Sequence, residues 1–386
     1  PTTCRVVRTE TMSGQGLLSR FRGGRGKTEG GIRPRAGAAQ ASGYKRSSRW
    51  FSMARKLAST MVIPDTYVGW SRYAKRAAMN ATSERTFDAI YSTSPPETSH
   101  LIAYDIQART GLPWVADFRD PWMNLYLFRP PTPVHARLHA RLERKVCERA
   151  HAVVTTRWHE QLIREKYPES PGVTRISNGY DETEAAGLET IDTIKTRFRI
   201  THAGMLTQNR TSEPFLRGVR LFLDNRPDAW PDLEILFVGP REDKNEWVVK
   251  QLELTDVVEF RDSVPHDEAL QLERASHILL LIRHINPDYK GIVPGKLYEY
   301  IGVRRPILAL VPDGEAARLI TDLRRGIVAP QGDERTIAEI LERLFTSYKA
   351  GSLDDPFDLS PQLQFTRKSL TGELAGLLDT VAGIQT

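Results

Sequence analysis

The sequence of 386 residues has little of what several protein classes require. Its two cysteines, Cys4 and Cys147, show neither the spacing of a metal site nor a disulfide framework, which favours a reducing cytoplasm. No stretch approaches the ~20 apolar residues of a transmembrane helix, and no signal-peptide hydrophobic region is present near the start. No Asp-x-Asp triplet occurs either. These absences leave a chain that we expect to be cytoplasmic.

The composition is that of a globular protein large enough for two domains. Hydrophobic residues make up 40% and charged residues 26% of the chain. The net charge of +6 is unevenly distributed, because residues 1–56 carry thirteen Lys or Arg against two Glu. This segment could bind an anionic membrane surface, or it could be a solvated loop without a partner. Its scarcity of aromatic residues argues against nucleic acid, since single-strand binding usually adds stacking platforms.

The first half of the chain alternates strand-like apolar runs with helical stretches. We expect strands at 4–9, 88–92, 113–118, 151–156 and 173–177, and helices at 70–84, 96–109 and 133–150. Residues 11–48 are rich in Gly, Ser and Arg and have no periodicity, so we predict a loop there. Strands that alternate with helices indicate a parallel sheet covered on both faces.

The same alternation begins again after a polar linker at 182–196. We expect strands at 198–202, 233–238, 257–260, 277–282 and 306–310, and helices at 214–223, 246–252, 266–274, 296–301 and 362–381, with a further helix, strand and helix before residue 348. The predicted fold class is therefore α/β, with two Rossmann-like domains facing a cleft. We place them at 1–180 and 197–360, with a C-terminal helix at 361–386 that crosses back to the first domain.

The most informative stretch is 288–310, which turns from an irregular loop into a short helix and then a strand. Pro294 lies where helices often begin, so the amides near Gly295 and Lys296 are expected to point outward without partners. With the positive end of the helix dipole and the Lys296 ammonium, these amides can hold a phosphate. Glu299 follows one turn later on nearly the same face and can accept hydrogen bonds from ribose hydroxyls. The pattern indicates a nucleotide-binding site, although an ordinary amphipathic helix remains the alternative.

The segment PGKLYEYIGVRRPILAL resembles the donor-nucleotide segment of retaining GT-B glycosyltransferases, glycosyltransferase family 4 (group 1). The resemblance implies a GT-B fold, with a nucleoside diphosphate sugar as donor and a glycan or lipid-linked molecule as acceptor. That family usually has two glutamates with seven residues between them. Glu299 matches the second, whereas the first falls on Gly291.

Ligands of doubly wound folds bind at the carboxyl ends of strands, where Gly204 and Gly239 follow predicted strands. The segment 202–210 resembles the glycine turn of the family, and the resemblance implies that Arg210 contacts the donor diphosphate. Arg210 and Lys296 would then neutralise the charge that develops on the departing diphosphate. No cofactor and no obligatory metal are expected, because GT-B enzymes generally stabilise this leaving group with protein charges.

On the acceptor side, the predicted strand 113–118 ends in the charged turn ADFRDPW. Much of family 4 has a histidine here, and the register places Arg119 at that position, flanked by Asp117 and Asp120. These residues could orient acceptor hydroxyls or act as a base, or they could form an Arg–Asp brace within the turn. Ser94 and Pro95 end the neighbouring strand and would line the same cleft. We expect the first βαβ unit typical of the GT-B N-terminal domain to be missing, which would make this side less complete.

Two further motifs are weaker. FRGGRGKT at 21–28 resembles a P-loop, but Phe21 occupies the first glycine position and no buried strand precedes it. His135 and His139 have the spacing of two helical metal ligands but no intervening acid, which favours a solvated basic face. That helix could also lie against lipid headgroups, which would make the chain a peripheral membrane protein.

The leading hypothesis is a glycosyltransferase. A sugar-nucleotide epimerase on the same fold is an alternative, and so is a catalytically weak GT-B relative that acts as a binding protein.

Overall fold

The structure is a computed structural model, which describes residues 4–10, 62–123, 128, 130–188, 192, 196–207, 210–283 and 286–384. The chain divides into two compact units. Unit 1 comprises residues 1–154, 162–174 and 378–386, and unit 2 comprises residues 155–161 and 175–377. The predicted loop at 11–48 and the P-loop-like segment at 21–28 lie outside the described residues.

Unit 1 contains a parallel sheet of four strands in the order β1-β2-β3-β4. In chain order the described elements of the first half are α1 (Ser71–Glu84), β1 (Ile90–Ser94), α2 (Thr98–Thr110), β2 (Trp114–Phe118), α3 (Pro133–Cys147), β3 (His151–Val154), α4 (Arg157–Lys166), β4 (Val173–Arg175) and α5 (Glu182–Gly187). Strand β2 is central and almost wholly buried, as its apolar sequence WVADF requires.

Helix α3 shows how local sequence sets an element boundary in unit 1. Pro133 occupies the first turn, where its missing N–H is not needed. The Thr132 side chain caps the helix by accepting a hydrogen bond from the His135 amide at 3.3 Å. The buried side of the helix contributes Val146 and Cys147 to a core shared with Trp114, Phe118 and Trp122.

Unit 2 contains a parallel sheet of six strands in the order β10-β9-β8-β5-β6-β7. Its described elements are β5 (Phe198–Ala203), α6 (Glu213–Asn225), β6 (Leu233–Val238), α7 (Asp243–Gln251), β7 (Val258–Arg261), α8 (His266–Arg274), β8 (Ile278–Ile282), α9 (Gly295–Val303), β9 (Ile307–Leu310), α10 (Glu315–Asp322), β10 (Gly326–Ala329), α11 (Glu334–Lys349) and α12 (Arg367–Ala382), whose last residues group with unit 1. The strand order reverses between β8 and β5, so this is a doubly wound fold.

The hydrophobic core of unit 2 lies on both faces of the sheet. Strand β8 is buried along its whole length, and its residues alternate between the two faces. Leu280 and Ile282 join the cluster that contains Phe215 of α6, whereas Leu279 and Leu281 join the cluster beneath α9. Burial on both faces explains the continuous apolar run ILLLI.

Most of the predicted elements are present, with ends shifted by a few residues. The predicted strand at 4–9 is wrong: these residues form no regular structure, and Val6 and Val7 are 69% and 52% exposed. An alternating pattern makes a strand only where a neighbouring strand can pair with it. Helices α4 and α5 were not predicted, because α4 is rich in charged residues and α5 is short. Among the described residues, no helix is long and apolar enough to cross a membrane.

Candidate functional site

Two glycine turns meet at the carboxyl edge of the sheet in unit 2. The Gly204 amide, directly after β5, donates to the Val238 carbonyl at the end of β6 at 2.8 Å. Gly239 has a φ of 128°, and a Cβ at this position would lie 2.6 Å from the Gly204 carbonyl oxygen. A side chain at Gly239 would therefore be strained and would collide with the backbone. Both predicted glycine turns thus lie together at the edge where ligands of this fold bind.

Helix α9 begins at the same edge, since it follows the loop after β8. Pro294 is its N-cap and no side chain caps the helix start. The Leu297 amide donates to the Pro294 carbonyl at 3.0 Å, which leaves the amides of Gly295 and Lys296 directed away from the helix. No atom lies within 4 Å of the position that a Cβ on Gly295 would take, so there is space in front of this helix start. This helix start is therefore uncapped by side chains and open at Gly295, which is compatible with the predicted phosphate site.

The Lys296 ammonium is held between two carboxylates. It donates to Glu299 of the same helix, as the i, i+3 spacing predicts, and to Oε1 of Glu273 at 2.9 Å. Glu273, at the end of α8, is fully buried, and its Oε2 has no hydrogen-bond partner among the described residues. Burial raises the pKa of Glu273 to about 8, with Lys296 acting in the opposite direction. The sequence had not singled out Glu273, because a buried carboxylate on an amphipathic helix has no local signal.

Two aromatic residues complete the edge. The Tyr300 hydroxyl donates to the Leu280 carbonyl and accepts from the Ala203 amide, both at 3.3 Å, so it ties β5 to β8. His202 Nδ1 lies 2.8 Å from the same Leu280 carbonyl. Its Nε2 is buried without a hydrogen-bond partner among the described residues, on the side facing Gly204. Burial lowers the pKa of His202 to about 4, so its ring is neutral at physiological pH.

Arg210 belongs to the same neighbourhood. Its positive charge, like that of Lys296, contributes to the low pKa of His202, after burial. Two cations from different segments therefore act on one point at the end of β5. This is the arrangement that a nucleoside diphosphate requires, because its charge is concentrated on two linked phosphates.

Gly291, which falls where the resemblance expects the first family glutamate, has no room for a side chain. A Cβ at Gly291 would lie 2.3 Å from Cε3 of the Trp158 ring, so the indole occupies the space that a side chain would need. The Gly291 carbonyl accepts a hydrogen bond from the Thr156 hydroxyl at 3.0 Å. Residues on either side of the start of α4 therefore fix this loop, and a glutamate cannot be accommodated without displacing Trp158.

In unit 1, the end of β1 is fixed by a buried polar network. The Trp114 indole donates to Ser92 Oγ at 2.8 Å, and Ser92 Oγ lies 2.8 Å from Nδ1 of His100. Ser94 is buried and Pro95 exposed at the strand end. Burial lowers the pKa of His100 to about 3, so this network contains no charge at neutral pH.

Asp117, Arg119 and Asp120, predicted for the acceptor side, lie within and directly after β2. Asp117 lies within the strand, where its carboxylate accepts from the Tyr91 hydroxyl at 2.6 Å and the Thr93 hydroxyl at 3.0 Å. It thereby crosslinks β1 and β2 on an exposed face. Burial, followed by the hydrogen bond to Asp117, raises the pKa of Tyr91, while the charge of Arg119 opposes the rise. Arg119 therefore lies on the Asp117 side.

Asp120 belongs to a second, acidic group. Burial raises the pKa of Glu97, and the charges of Asp65 and Asp120 add to that rise. Asp65 itself accepts hydrogen bonds from the amide and hydroxyl of Thr98, both at 2.8 Å, at the start of α2. Glu97, Asp65 and Asp120 thus influence one another, and of these three carboxyl groups only Asp120 was predicted from the sequence.

The turn after Asp120 is anchored to α3. The Trp122 indole donates to Nδ1 of His139 at 3.0 Å, and the Met123 amide donates to Glu143 at 3.2 Å. Glu143 is buried and also accepts from Tyr167 and, at 2.6 Å, from Lys166. His139 is therefore a structural residue of the turn rather than part of a pair with His135. Among the described residues, no group of three or more His, Cys, Asp or Glu side chains could hold a metal ion.

These features agree with comparisons to known proteins. Residues 30–179 match the glycosyl transferase 4-like domain, and residues 197–347 match the family described as glycosyl transferases group 1. The two matches span most of the chain. The chain therefore carries two glycosyltransferase domains and is a transferase enzyme. A comparison with curated proteins gives no match.

Solved structures with the same fold include three sugar-related proteins. HepE from Anabaena, in complex with UDP, has a TM-score of 0.60 at 14% identity over 79% of this chain and 82% of that one. Sucrose-phosphate synthase from Thermosynechococcus elongatus has a TM-score of 0.59 at 15% identity, over 81% of this chain and 78% of that one. A UDP-forming trehalose-phosphate synthase from Burkholderia xenovorans has a TM-score of 0.57 at 14% identity, over 83% of this chain and 80% of that one. These similarities establish the fold as GT-B, with two Rossmann-like domains.

Proposed function

We propose that this enzyme is a family 4 glycosyltransferase that transfers a sugar from a nucleoside diphosphate sugar to a glycan or lipid-linked acceptor, with retention of anomeric configuration. The observation that carries the proposal is the edge of unit 2, where the Gly204 and Gly239 turns lie beside the start of α9. That edge combines outward-directed amides, two cations and a carboxylate one turn away. The complexes of HepE with UDP and with UDP-glucose support a uridine nucleotide as the first donor to test.

In this proposal the diphosphate lies at the amides of Gly295 and Lys296, and Glu299 accepts hydrogen bonds from the ribose hydroxyls. During transfer, the bond between the anomeric carbon and the diphosphate oxygen breaks, and the acceptor oxygen bonds to that carbon on the same face. Once the bond has broken, the proton of the acceptor hydroxyl passes to the leaving diphosphate oxygen. The leaving diphosphate gains negative charge in this step. Arg210 and Lys296 stabilise the transition state, in which this charge has developed, more strongly than they stabilise the ground state. This difference lowers the activation barrier. No metal is required for this role.

On the acceptor side we assign different roles to the residues around β2. Asp117 holds β1 and β2 together through Tyr91 and Thr93, so we assign it a structural role. Asp120 and Arg119 are exposed and lie in the turn fixed by Trp122, and we propose that they orient the acceptor hydroxyls. Ser94 and Pro95 would then form the neighbouring wall.

We also propose that the enzyme works at the cytoplasmic face of an anionic membrane. The basic segment at 11–56, which first suggests membrane binding, lies outside the described residues. Helix α3 adds independent support, because Val134 and Leu138 are 59% and 43% exposed beside the exposed cations Arg137 and Arg141. Each basic residue near an anionic surface adds about 1 kcal/mol to binding. Liposome flotation should show salt-sensitive binding that the double variant R137E/R141E weakens. Binding to neutral vesicles alone would contradict this proposal.

A thermal-shift panel with UDP, GDP, ADP and TDP tests the donor. A ligand at 100 times its Kd stabilises the fold by about 2.7 kcal/mol. For a unit of this size that corresponds to a Tm increase of about 5–10 °C. One nucleoside diphosphate should raise the Tm by this amount and its nucleoside much less. No shift with any diphosphate would contradict the proposed donor class.

Charge-removing variants locate the site. Lys296→Met and Arg210→Met should each weaken binding of the diphosphate by about 10- to 150-fold, because each removes hydrogen bonds between charged groups. Binding of the nucleoside should change little. Lys250→Met, an exposed position on α7, is the matched control and should behave as the parent. If Lys296→Met and Arg210→Met both bind the diphosphate as the parent does, the site lies elsewhere.

A further inference from the structure

Lys296 lies between two carboxylates, and their charge affects how its ammonium can bind a diphosphate. With Glu273 and Glu299 both ionised, the three groups have a net charge of −1, which opposes a diphosphate. With Glu273 protonated they are neutral. The protonation of a buried residue on α8 therefore decides whether the start of α9 attracts or repels an anion.

Glu273 is placed so that its protonation depends on Lys296. Its side chain has no exposed surface, Oε1 lies 2.9 Å from the ammonium, and Oε2 is unpaired among the described residues. Burial strongly disfavours a carboxylate unless a cation compensates. The ammonium is the partner that compensates here, and it is shared with Glu299. Any ligand that draws the ammonium away leaves Glu273 as an uncompensated buried anion.

The other charged groups nearby are engaged elsewhere. On α8 itself, Arg274 donates to the carbonyls of Leu188, Val303 and Arg304. On β5, which also packs against α8, Arg199 pairs with Glu234 and His202 bonds to Leu280. Tyr300 of α9 is fully buried and neutral, because burial and then the charge of Glu273 hold its pKa well above its ordinary value. The balance is therefore set by Glu273, Lys296 and Glu299.

We propose that Glu273 positions the Lys296 ammonium in the empty donor site and takes up a proton when a nucleoside diphosphate binds. This inference rests on the proposed function, since it requires the diphosphate to bind at Lys296. Burial raises the pKa of Glu273 to about 8. Binding would raise this pKa further, because the ammonium would no longer compensate the buried carboxylate. The proton balance is simple: one proton moves from solvent to Glu273 as the ammonium turns from this carboxylate to the phosphates. Diphosphate binding then weakens as pH rises above about 8.

The direct test is calorimetry with UDP at pH 7, 8 and 9, in two buffers that differ in ionisation enthalpy. The parent should take up little or no proton at pH 7 and close to one proton at pH 9. Its Kd should rise by up to about tenfold per pH unit above the pKa. Glu273→Gln keeps the size and one acceptor oxygen but cannot titrate. Its Kd should change with pH only as far as the titration of UDP itself requires, and it should bind UDP more tightly than the parent at pH 9.

Control variants distinguish a failure of the inference about Glu273 from a failure of the proposed donor site. Glu268→Gln makes the same chemical change at an exposed position of α8 and should retain the parent's proton uptake. The uracil ring titrates equally with every variant, so it does not affect the comparison. A parent that binds UDP at pH 9 without proton uptake overturns this inference and leaves the proposed function in place. UDP binding to none of the proteins at any pH contradicts the proposed donor itself. A role for Glu273 in folding alone would lower stability without changing proton uptake per bound UDP.

Discussion

Because Gly291 contacts Trp158, we expect substitutions at these two positions to have non-additive effects on the free energy of unfolding. A Cβ at Gly291 would lie 2.3, 2.4 and 2.9 Å from three carbon atoms of the Trp158 ring, all inside normal contact distance. The indole must therefore shift to admit even a methyl group. Overpacking of this kind costs typically 1–3 kcal/mol, so Gly291→Ala should lower the free energy of unfolding by about that amount. For a unit of this size the corresponding fall in Tm is about 2–12 °C.

A double-mutant cycle measured by urea unfolding tests the cause. In a Trp158→Ala background the space is open, so Gly291→Ala should change the free energy of unfolding by less than about 0.5 kcal/mol. Gly295→Ala, at the start of α9, is the matched control, because nothing outside the helix and the neighbouring residues lies within 4 Å of its Cβ position. An equal loss from Gly291→Ala in both backgrounds would refute the reasoning, since the indole would then not be the obstacle.

Three further predictions follow from single contacts. Glu299→Ala should weaken UDP binding by about 10- to 150-fold, measured by calorimetry, and an unchanged Kd in a folded variant would refute the ribose assignment. Glu143→Ala should lower the free energy of unfolding by about 3 kcal/mol, because it removes the acceptor of a buried ion pair. Glu148→Ala removes the acceptor of an exposed ion pair and should change this free energy by less than about 1 kcal/mol. As pH falls from about 6.5 to about 4, the free energy of unfolding should decrease less in His202→Gln than in the parent. In that window the unfolded chain binds a proton that the buried ring does not, which costs up to about 1.4 kcal/mol per pH unit.

The fold could be predicted largely from the sequence because its strands are either continuous apolar runs or sharply bounded. LEILFV was predicted as a strand at 233–238 and the structure has it at Leu233–Val238. The failures have local causes. The run at 4–9 has the alternation of a strand but no neighbouring strand among the described residues. Helix α4 is so rich in charged residues that its apolar positions did not stand out.

The site was predictable only where it depends on backbone and spacing. Glycine turns after strands and a proline at a helix start are visible in the sequence, and Lys296 and Glu299 meet because they lie three residues apart. Glu273 could not be found in this way, because its meeting with Lys296 depends on how α8 packs against α9. The same reason hid Trp158, which fills the space at Gly291 from a segment more than a hundred residues away in the chain. Side chains that meet through tertiary packing leave no local pattern.

A crystal structure of the enzyme with bound UDP tests the central claim most directly. The account predicts the diphosphate at the amides of Gly295 and Lys296, with Arg210 on its other side and both ribose hydroxyls on the Glu299 carboxylate. It also predicts that the Lys296 ammonium turns from Glu273 toward the phosphates. UDP bound elsewhere, or bound here with its ribose away from Glu299 and Lys296 still held by Glu273, would contradict the account.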